Sequence, residues 1–561
     1  MRRKTQSATF LVALTVAAVL VFSGIPAAAS GEAVVQNVIV MIPDGASQGI
    51  LTLARWVKQT KTGAPLHLDR LRTGAVKTHM TNSVITGSAA AATAFATGHK
   101  TTARFIAVGP RTEDLLTGLT PTAAAYEPVA TVLEGARLAG KSTGLVATSR
   151  ITHATPAAFA SHVHDRGMES EIMEQMVYQN IDVVFGGGAA YLFPEDMRFT
   201  TAFGEHWKGR RTDGENLLHV LQSRGYRFVD NREHLNALSA GRVWGLFAES
   251  HMDPDIDRDD FHPTQPSLAE MAEKALEILS QSEKGFFLMV EGSQVDWAGH
   301  ANDPVYMSTE MLAFDEAVGV VMRFAEADGR TLVLIFPDHG TGALSIGHQQ
   351  SDFPPKYTAT SVEDLIAPVR DADMTIQGLL SKLGAADPGG IQTAFADHLG
   401  SWWAKHMNAE HLYFVADVLQ KKGSRNGYWE IAAYLSRNLT ALGWTTHGHT
   451  GEDVPLWAYG PRRPVGTFDN TELAAIAAEA LGIDLQAAQR SLFVDAATLA
   501  GAAADRSDPE NPVLRIGACR LPAGKNLLRK NGREIPLSGV VVYAPKIQKF
   551  FVSEDALPHL R

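Results

Sequence analysis

Five short apolar runs recur along the chain, and each stops at a polar or glycine-rich turn. Val38–Ile42 runs into Pro43-Asp44-Gly45, and Thr143–Ala147 into a polar loop through His153. Val183–Phe185 ends in Gly186-Gly187-Gly188, Phe286–Val290 at Glu291, and Leu332–Phe336 just before Asp338-His339. Runs that are apolar throughout, rather than at alternate positions, suit strands buried on both faces. Helical stretches lie between them. Ser267–Leu279 carries Leu268, Met271, Ala275, Leu276 and Leu279 on one stripe, with Ser267 and Glu270 spaced as a capping box. Ala89–Thr97 is so rich in alanine that it reads as a helix packed closely on the sheet. The expected fold is therefore α/β, with a mostly parallel central sheet flanked by helices on both faces.

Two regions leave this rhythm. Residues 345–445 hold helical patterns with Trp402, Trp403 and Trp429, and read as a cap inserted into a domain spanning 30–505. Residues 506–561 read as a small β-rich extension, with alternation near Val540–Tyr543 and Phe550–Val552. At the other end, Arg2-Arg3-Lys4, the apolar stretch Phe10–Phe22 and Ala27-Ala28-Ala29 have the form of a signal peptide over residues 1–29. The apolar stretch is shorter than the ~20 residues that span a bilayer. An exported, periplasmic or extracellular protein with no membrane span after cleavage is the expectation.

Composition narrows the chemistry. Cys519 is the only cysteine, so no intrachain disulfide can form, and a metal here must be held by His, Asp, Glu and hydroxyl oxygen. With 50 Lys+Arg against 61 Asp+Glu, the net charge of −11 argues against nucleic acid as a specific partner. A small anionic substrate is compatible, because bound cations reverse the field inside one pocket.

In open parallel sheets ligands bind beyond the carboxyl ends of the strands. Asp44, Glu291, Asp338 and His339 fall there, and Asp296 and His300 follow Glu291 on the same segment. Singly, each has a plain explanation: Asp44 as a turn residue, His339 as a surface histidine, Ser88 as a helix N-cap. Together they make a set of oxygen and imidazole donors.

Six motifs then carry a resemblance: Val40-Met41-Ile42-Pro43-Asp44-Gly45; Thr86-Gly87-Ser88-Ala89-Ala90-Ala91-Ala92-Thr93; His153-Ala154-Thr155-Pro156-Ala157-Ala158; the segment Glu291 to His300; Pro337-Asp338-His339; and His449-Thr450-Gly451-Glu452. In this order, over about 35–461, they resemble the alkaline phosphatase family. The resemblance implies hydrolysis of small phosphate monoesters by a serine nucleophile, Ser88, through a phosphoserine. It implies two Zn2+, one held by Asp296, His300 and His449 and one by Asp44, Asp338 and His339. Glu291, Thr155 and Asp44 would hold one Mg2+, and Arg166 would grip the phosphate. A homodimer is also usual in such relatives. Ser88 opens the alanine-rich helix, where free amides favour an anion.

Three positions depart from the family pattern. Gly87 stands where many relatives have aspartate, which suggests a looser Arg166 and weaker phosphate binding. His153 replaces an aspartate of some bacterial members, which predicts greater dependence on added magnesium. Trp297 replaces lysine or histidine near the phosphate. His153 and Trp297 are thus expected beside the ligands. His447 reads either as a support for them or as an exposed loop residue, and His162 and His164 as structural. The acidic run Asp253–Asp260 could attract calcium, but Pro254 and the regular charge spacing fit a solvated loop better. A phosphodiesterase on the same scaffold, or a non-catalytic phosphate- or metal-binding surface protein, are the competing readings. A sulfatase is disfavoured because four alanines follow Ser88.

Overall fold

The computed structural model describes residues 34–348, 357–384 and 387–560. The signal-peptide expectation for 1–29 lies outside the described residues. No described helix is long and apolar enough to cross a membrane.

A ten-stranded sheet organises the chain. Across it the strands run Gly466–Asp469, Arg72–Lys77, Val454–Tyr459, Thr331–Ile335, Asn37–Pro43, Phe286–Gly292, Ser142–Arg150, Val183–Gly187, Val243–Leu246 and Arg227–Val229. Only Val454–Tyr459 runs against the others. The five apolar runs of the sequence are five adjacent strands at its centre. Their residues alternate between two hydrophobic cores: Ile39 and Met41 face one, and Val38, Val40 and Ile42 face the other. Gln48–Thr62, Leu268–Leu279 and Pro304–Asp328 cover the first face with apolar stripes. Ser88–Thr97, Val132–Leu138, Glu169–Tyr178 and Asn470–Leu481 cover the second. Both faces are therefore dry, which is why the central strands carry no polar alternation.

Two helices illustrate how local sequence sets this up. Leu268–Leu279 starts at Ser267, whose hydroxyl accepts the Glu270 amide while the Glu270 carboxylate accepts the Ser267 amide. Ser88–Thr97 is buried along its whole length. Its alanines let it sit close to Ala474, Ala477 and Ala478 of Asn470–Leu481 in one core.

Within 345–445 the described residues form helices Val362–Arg370, Ile376–Leu383, Pro388–Leu399, Ser401–His406 and Ala409–Leu439. The last folds back at Gly423, whose backbone is non-helical. Trp403 is fully buried, and its indole N–H donates to Pro368 O at 2.9 Å. The C-terminal region is antiparallel, with a five-stranded sheet from Ala502–Asp505 to Arg533–Pro536. That sheet begins before the expected boundary at 506. Val542–Ala544 and Lys549–Val552 pair in a separate three-stranded sheet.

The solvated-loop reading of Asp253–Asp260 needs correction. Asp257 is buried and accepts the Thr375 amide and hydroxyl at 2.7 and 2.6 Å, tying this loop to the helical region. Asp257 thereby holds Thr375, the N-cap of helix Ile376–Leu383, while Asp259 and Asp260 of the same run are exposed.

Candidate active site

The strand ends of the central sheet carry the candidate residues. Register brings them level: Ile42 lies beside Glu291, which lies beside Ala147 on its other side. Asp44 follows Pro43 directly, and its chain then turns at Gly45 with φ 74°. A Cβ at Gly45 would lie 2.7 Å from Asp296 Cα, so only glycine lets the Asp44 turn pack against the Asp296 helix.

Ser88 is the first residue of its helix, and Gly87 is the N-cap. The N-cap reading of Ser88 is therefore replaced by another placement. Its Oγ lies 3.3 Å from His339 Nε2, at the buried end of a row of histidines. The His339 and His449 rings stack with centroids 3.6 Å apart, and His449 Nε2 lies 3.2 Å from His300 Nε2. Asp296 closes this group, with Oδ2 3.4 Å from His300 Nε2 and Oδ1 3.6 Å from His449 Nε2. On the inner side, His339 Nε2 is 3.0 Å from Asp338 Oδ2 and 3.8 Å from Asp44 Oδ1.

Donor atoms converge in three sets with every pair within 4.8 Å: Asp296, His300 and His449; Asp44, Asp296 and His339; Asp44, His153 and Glu291. Asp296 belongs to two of them and Asp44 to two. Thr155, at the start of the short helix Ala154–Ala157, has a buried hydroxyl that acts on Glu291. A further grouping, His67 with Asp315 and Glu316, already has its negative charge matched by Lys58 Nζ at 2.7 and 2.9 Å.

The charge state of the pocket is informative. Among the described residues, both oxygens of Asp44, both of Glu291, Thr155 Oγ1 and His153 Nδ1 are buried with no hydrogen-bond partner, while Asp338 Oδ2 faces His339. Buried polar groups are ordinarily satisfied, and orphaned carboxylates are costly. Burial, then the charges of Asp338, Asp296 and Glu291, drive Asp44 well above the usual carboxylate range. Burial likewise pushes Glu291 up to about 7, with Asp338 adding to it. Asp296 is also buried, but His300, His339 and His449 overrule burial and hold it low. Burial and His339 lower His449 to about 4, which leaves its imidazole neutral, as a ligand must be. Oxygen and imidazole donors with uncompensated charge fit divalent cations.

Arg166 reaches the same pocket. Its Nη2 donates to His153 Nε2 at 2.6 Å, so the His153 ring is neutral, and burial with the Arg166 charge holds its pKa well below the ordinary value. The loop bearing Arg166 is clasped by a bidentate Arg104–Asp165 pair at 2.7 and 3.0 Å. Trp297 stands edge-on to His153 at 5.9 Å and to His251 at 4.3 Å.

The alkaline phosphatase family model matches residues 35–483, which include every candidate residue. The chain belongs to the alkaline phosphatase family. It is 34% identical over 466 residues to alkaline phosphatase 3 of Bacillus subtilis (strain 168), covering 81% of this chain and 90% of that protein. The repressible alkaline phosphatase of Saccharomyces cerevisiae is 33% identical over 498 residues, covering 80% and 82%. In fold, the chain is similar to the alkaline phosphatase of Thermus thermophilus, with a TM-score of 0.67 and 27% identity over 80% of this chain and 92% of that one. The enzyme is accordingly a phosphoric monoester hydrolase of a metal-dependent family.

Several site residues of this enzyme were not visible beforehand. Thr341 Oγ1 donates to Asp296 Oδ1 at 2.6 Å and lies 3.3 Å from His339 Nδ1, joining two donor sets. His251 accepts the Arg150 amide at 3.1 Å and packs on Trp297. His447 exchanges hydrogen bonds with His300, accepting through its carbonyl and meeting the His300 carbonyl with Nδ1 at 2.8 Å. His447 therefore fits both readings: it is exposed on its loop and also supports His300. His162 is structural as expected, bridging Ala107 O at 2.9 Å and Glu134 at 3.1 Å in the buried core. The residue after Pro-Asp-His-Gly is the one available signal for Thr341.

Proposed function

We propose that the enzyme hydrolyses phosphate monoesters at Ser88 through a phosphoserine, with two Zn2+ and one Mg2+. The observation that carries this reading is the convergence of three donor sets with orphaned carboxylates beside a helix-initiating serine. Asp296, His300 and His449 would hold one zinc, Asp44, Asp338 and His339 the second, and Asp44, Glu291 and Thr155 the magnesium, with His153 at its edge. Divalent ions held there would supply Lewis-acid neutralisation of negative charge developing on oxygen.

The chain's own residues account for the remaining steps. Arg166 binds two phosphoryl oxygens with its planar fork, and its hydrogen bond to His153 limits where that fork can point. The first-turn amides of Ser88–Thr97 face the phosphate. Ser88 Oγ gives its proton to solvent and forms a bond to phosphorus while the bond from phosphorus to the alcohol oxygen breaks, and that oxygen takes a proton from solvent and leaves as the alcohol. Water then attacks the phosphoserine, the bond from phosphorus to Oγ breaks, Ser88 regains a proton and inorganic phosphate leaves. We further assign export to the 1–29 signal pattern, a catalytic domain to 30–505 with its cap at 345–445, an accessory role to 506–561, and a homodimeric assembly.

The test is phosphate release from an aryl phosphate at alkaline pH, after chelation and add-back of zinc with magnesium, for wild type and Ser88→Ala. Turnover restored by metal in wild type and lost in the variant is expected. A metal-loaded wild type that cleaves diesters but no monoester would refute the reading.

A further inference from the structure

Exposure rises steadily along the histidine row that leads away from Ser88. The His339 side chain is fully buried, His449 is 18% exposed and His300 22%. Next comes Trp429 on helix Ala409–Leu439, 48% exposed. Its indole is parallel to the His300 ring within 2°, with centroids 5.8 Å apart, and within 13° of His447 at 6.2 Å. The indole is held there. The neighbouring Tyr428 is buried and donates its hydroxyl to Asp303 Oδ2 at 2.9 Å, just beyond the helix Gln294–Ala301 that carries His300. The folded-back helix is closed by Gly427, where a Cβ would meet Val418 at 2.7 Å.

A second apolar group flanks the same opening. Ile85 is 42% exposed, and its side chain comes within 3.4 Å of where a Cβ on Gly451 would lie, in the loop after His449. Next to it, the Thr86 carbonyl accepts from His449 Nδ1 at 2.9 Å. The row is thus buried at Ser88, and its outer end carries two exposed apolar side chains, Trp429 beside His300 and Ile85 beside the loop of His449.

We propose that Trp429, with Ile85 opposite, is a platform for planar aromatic leaving groups, which makes the cap a determinant of substrate preference. This rests on the phosphomonoesterase reading. With phosphorus beside Ser88 Oγ, in-line displacement sends the alcohol away from the serine, and the only direction of rising exposure along this row is toward Trp429. A flat ring arriving there stacks on the indole, whereas a small aliphatic alcohol covers little of it.

The test compares kcat/KM for phenyl phosphate and glycerol phosphate in metal-loaded wild type, Trp429→Ala and Trp429→Phe. Comparing this substrate ratio between variant and wild type cancels the intrinsic reactivities of the two esters. The aryl-to-glycerol ratio should fall about three- to tenfold in Trp429→Ala and stay within about twofold in Trp429→Phe. Calorimetric binding of phenylphosphonate should weaken by a similar factor in Trp429→Ala, while methylphosphonate binding changes less. Equal loss on both substrates would mean that Trp429 only steadies His300, and would overturn the proposal, as would an unchanged ratio. Wild type inactive on both monoesters would instead overturn the phosphomonoesterase reading.

Discussion

Replacing Thr341 with valine exchanges one hydroxyl for a methyl and leaves the side-chain outline nearly unchanged. The hydroxyl donates to Asp296 Oδ1 at 2.6 Å in a fully buried setting. Hydrogen bonds to charged groups contribute about 1.5–3 kcal/mol. The methyl also needs roughly 3.5 Å from a neighbouring heavy atom, so about 0.9 Å must be found. Thr341 has little room to retreat, because the Gly45 and Gly299 backbones pack so closely on it that an added Cβ would lie 2.8 Å from its Oγ1 and 3.1 Å from its Cβ. The Asp296 carboxylate must therefore move, and Asp296 belongs to two donor sets. Loss of such a supporting contact typically weakens metal binding ~10–100-fold, or about 1.4–2.8 kcal/mol, in line with the hydrogen-bond figure. Zinc titration of chelated protein in metal buffers, read by bound metal and by recovered turnover, measures it. Thr341→Ser keeps the donor and should bind close to wild type. A valine variant that takes up zinc as tightly as wild type would refute the reasoning.

Two further outcomes follow from the same structure. Gly87 has φ −117° and ψ 163°, and a Cβ there would meet nothing nearer than His449 at 3.9 Å, so Gly87→Asp should fold normally. It should restrain Arg166 and strengthen product inhibition by phosphate several-fold; an unchanged inhibition constant would sink this account of Gly87. Burial, with the charges of Asp255 and Asp257 adding and Arg258 opposing, raises Glu310 to about 8. Folded protein then keeps a proton that unfolded chain releases near the ordinary glutamate value of ~4.3. Wild-type stability from this group is full below that value and is lost as pH rises toward about 8. Glu310→Gln should remove the loss, gaining on the order of 4 kcal/mol over wild type between pH 5 and pH 9 in urea unfolding of metal-free protein; parallel curves would contradict it.

What could be read in advance follows from interactions that are local in the chain. Apolar runs such as Val38–Ile42 and Leu332–Phe336 are strands because nothing in them tolerates water. Ser267 and Glu270 cap a helix across three residues, and the alanines after Ser88 can only make a close-packed helix. The ligand motifs sit where strands stop, because there a parallel sheet exposes its ends. The strands and helices rest on neighbours a few residues apart, so the sequence by itself determined them and the residue types at the strand ends; the grouping of donors from Asp44 to His449 followed from the family resemblance.

The remaining features are long-range contacts. Thr341 meets Asp296 across 45 residues, His447 meets His300 across 147, and Asp257 caps a helix at Thr375 across 118. No spacing announces such partners, since a threonine or aspartate on a loop reads the same whether it faces solvent or a buried charge. Trp429 is the sharpest case. Among the apolar residues of its helix it resembles another core residue, and only the turn at Gly423 and the Tyr428–Asp303 bond bring it to the mouth of the site instead. The chemistry was written in residue types and local pattern. Which side chains steady that chemistry, and what a substrate meets on its way out, depended on the tertiary packing of segments far apart in the chain, because burial and contact are properties of the folded chain.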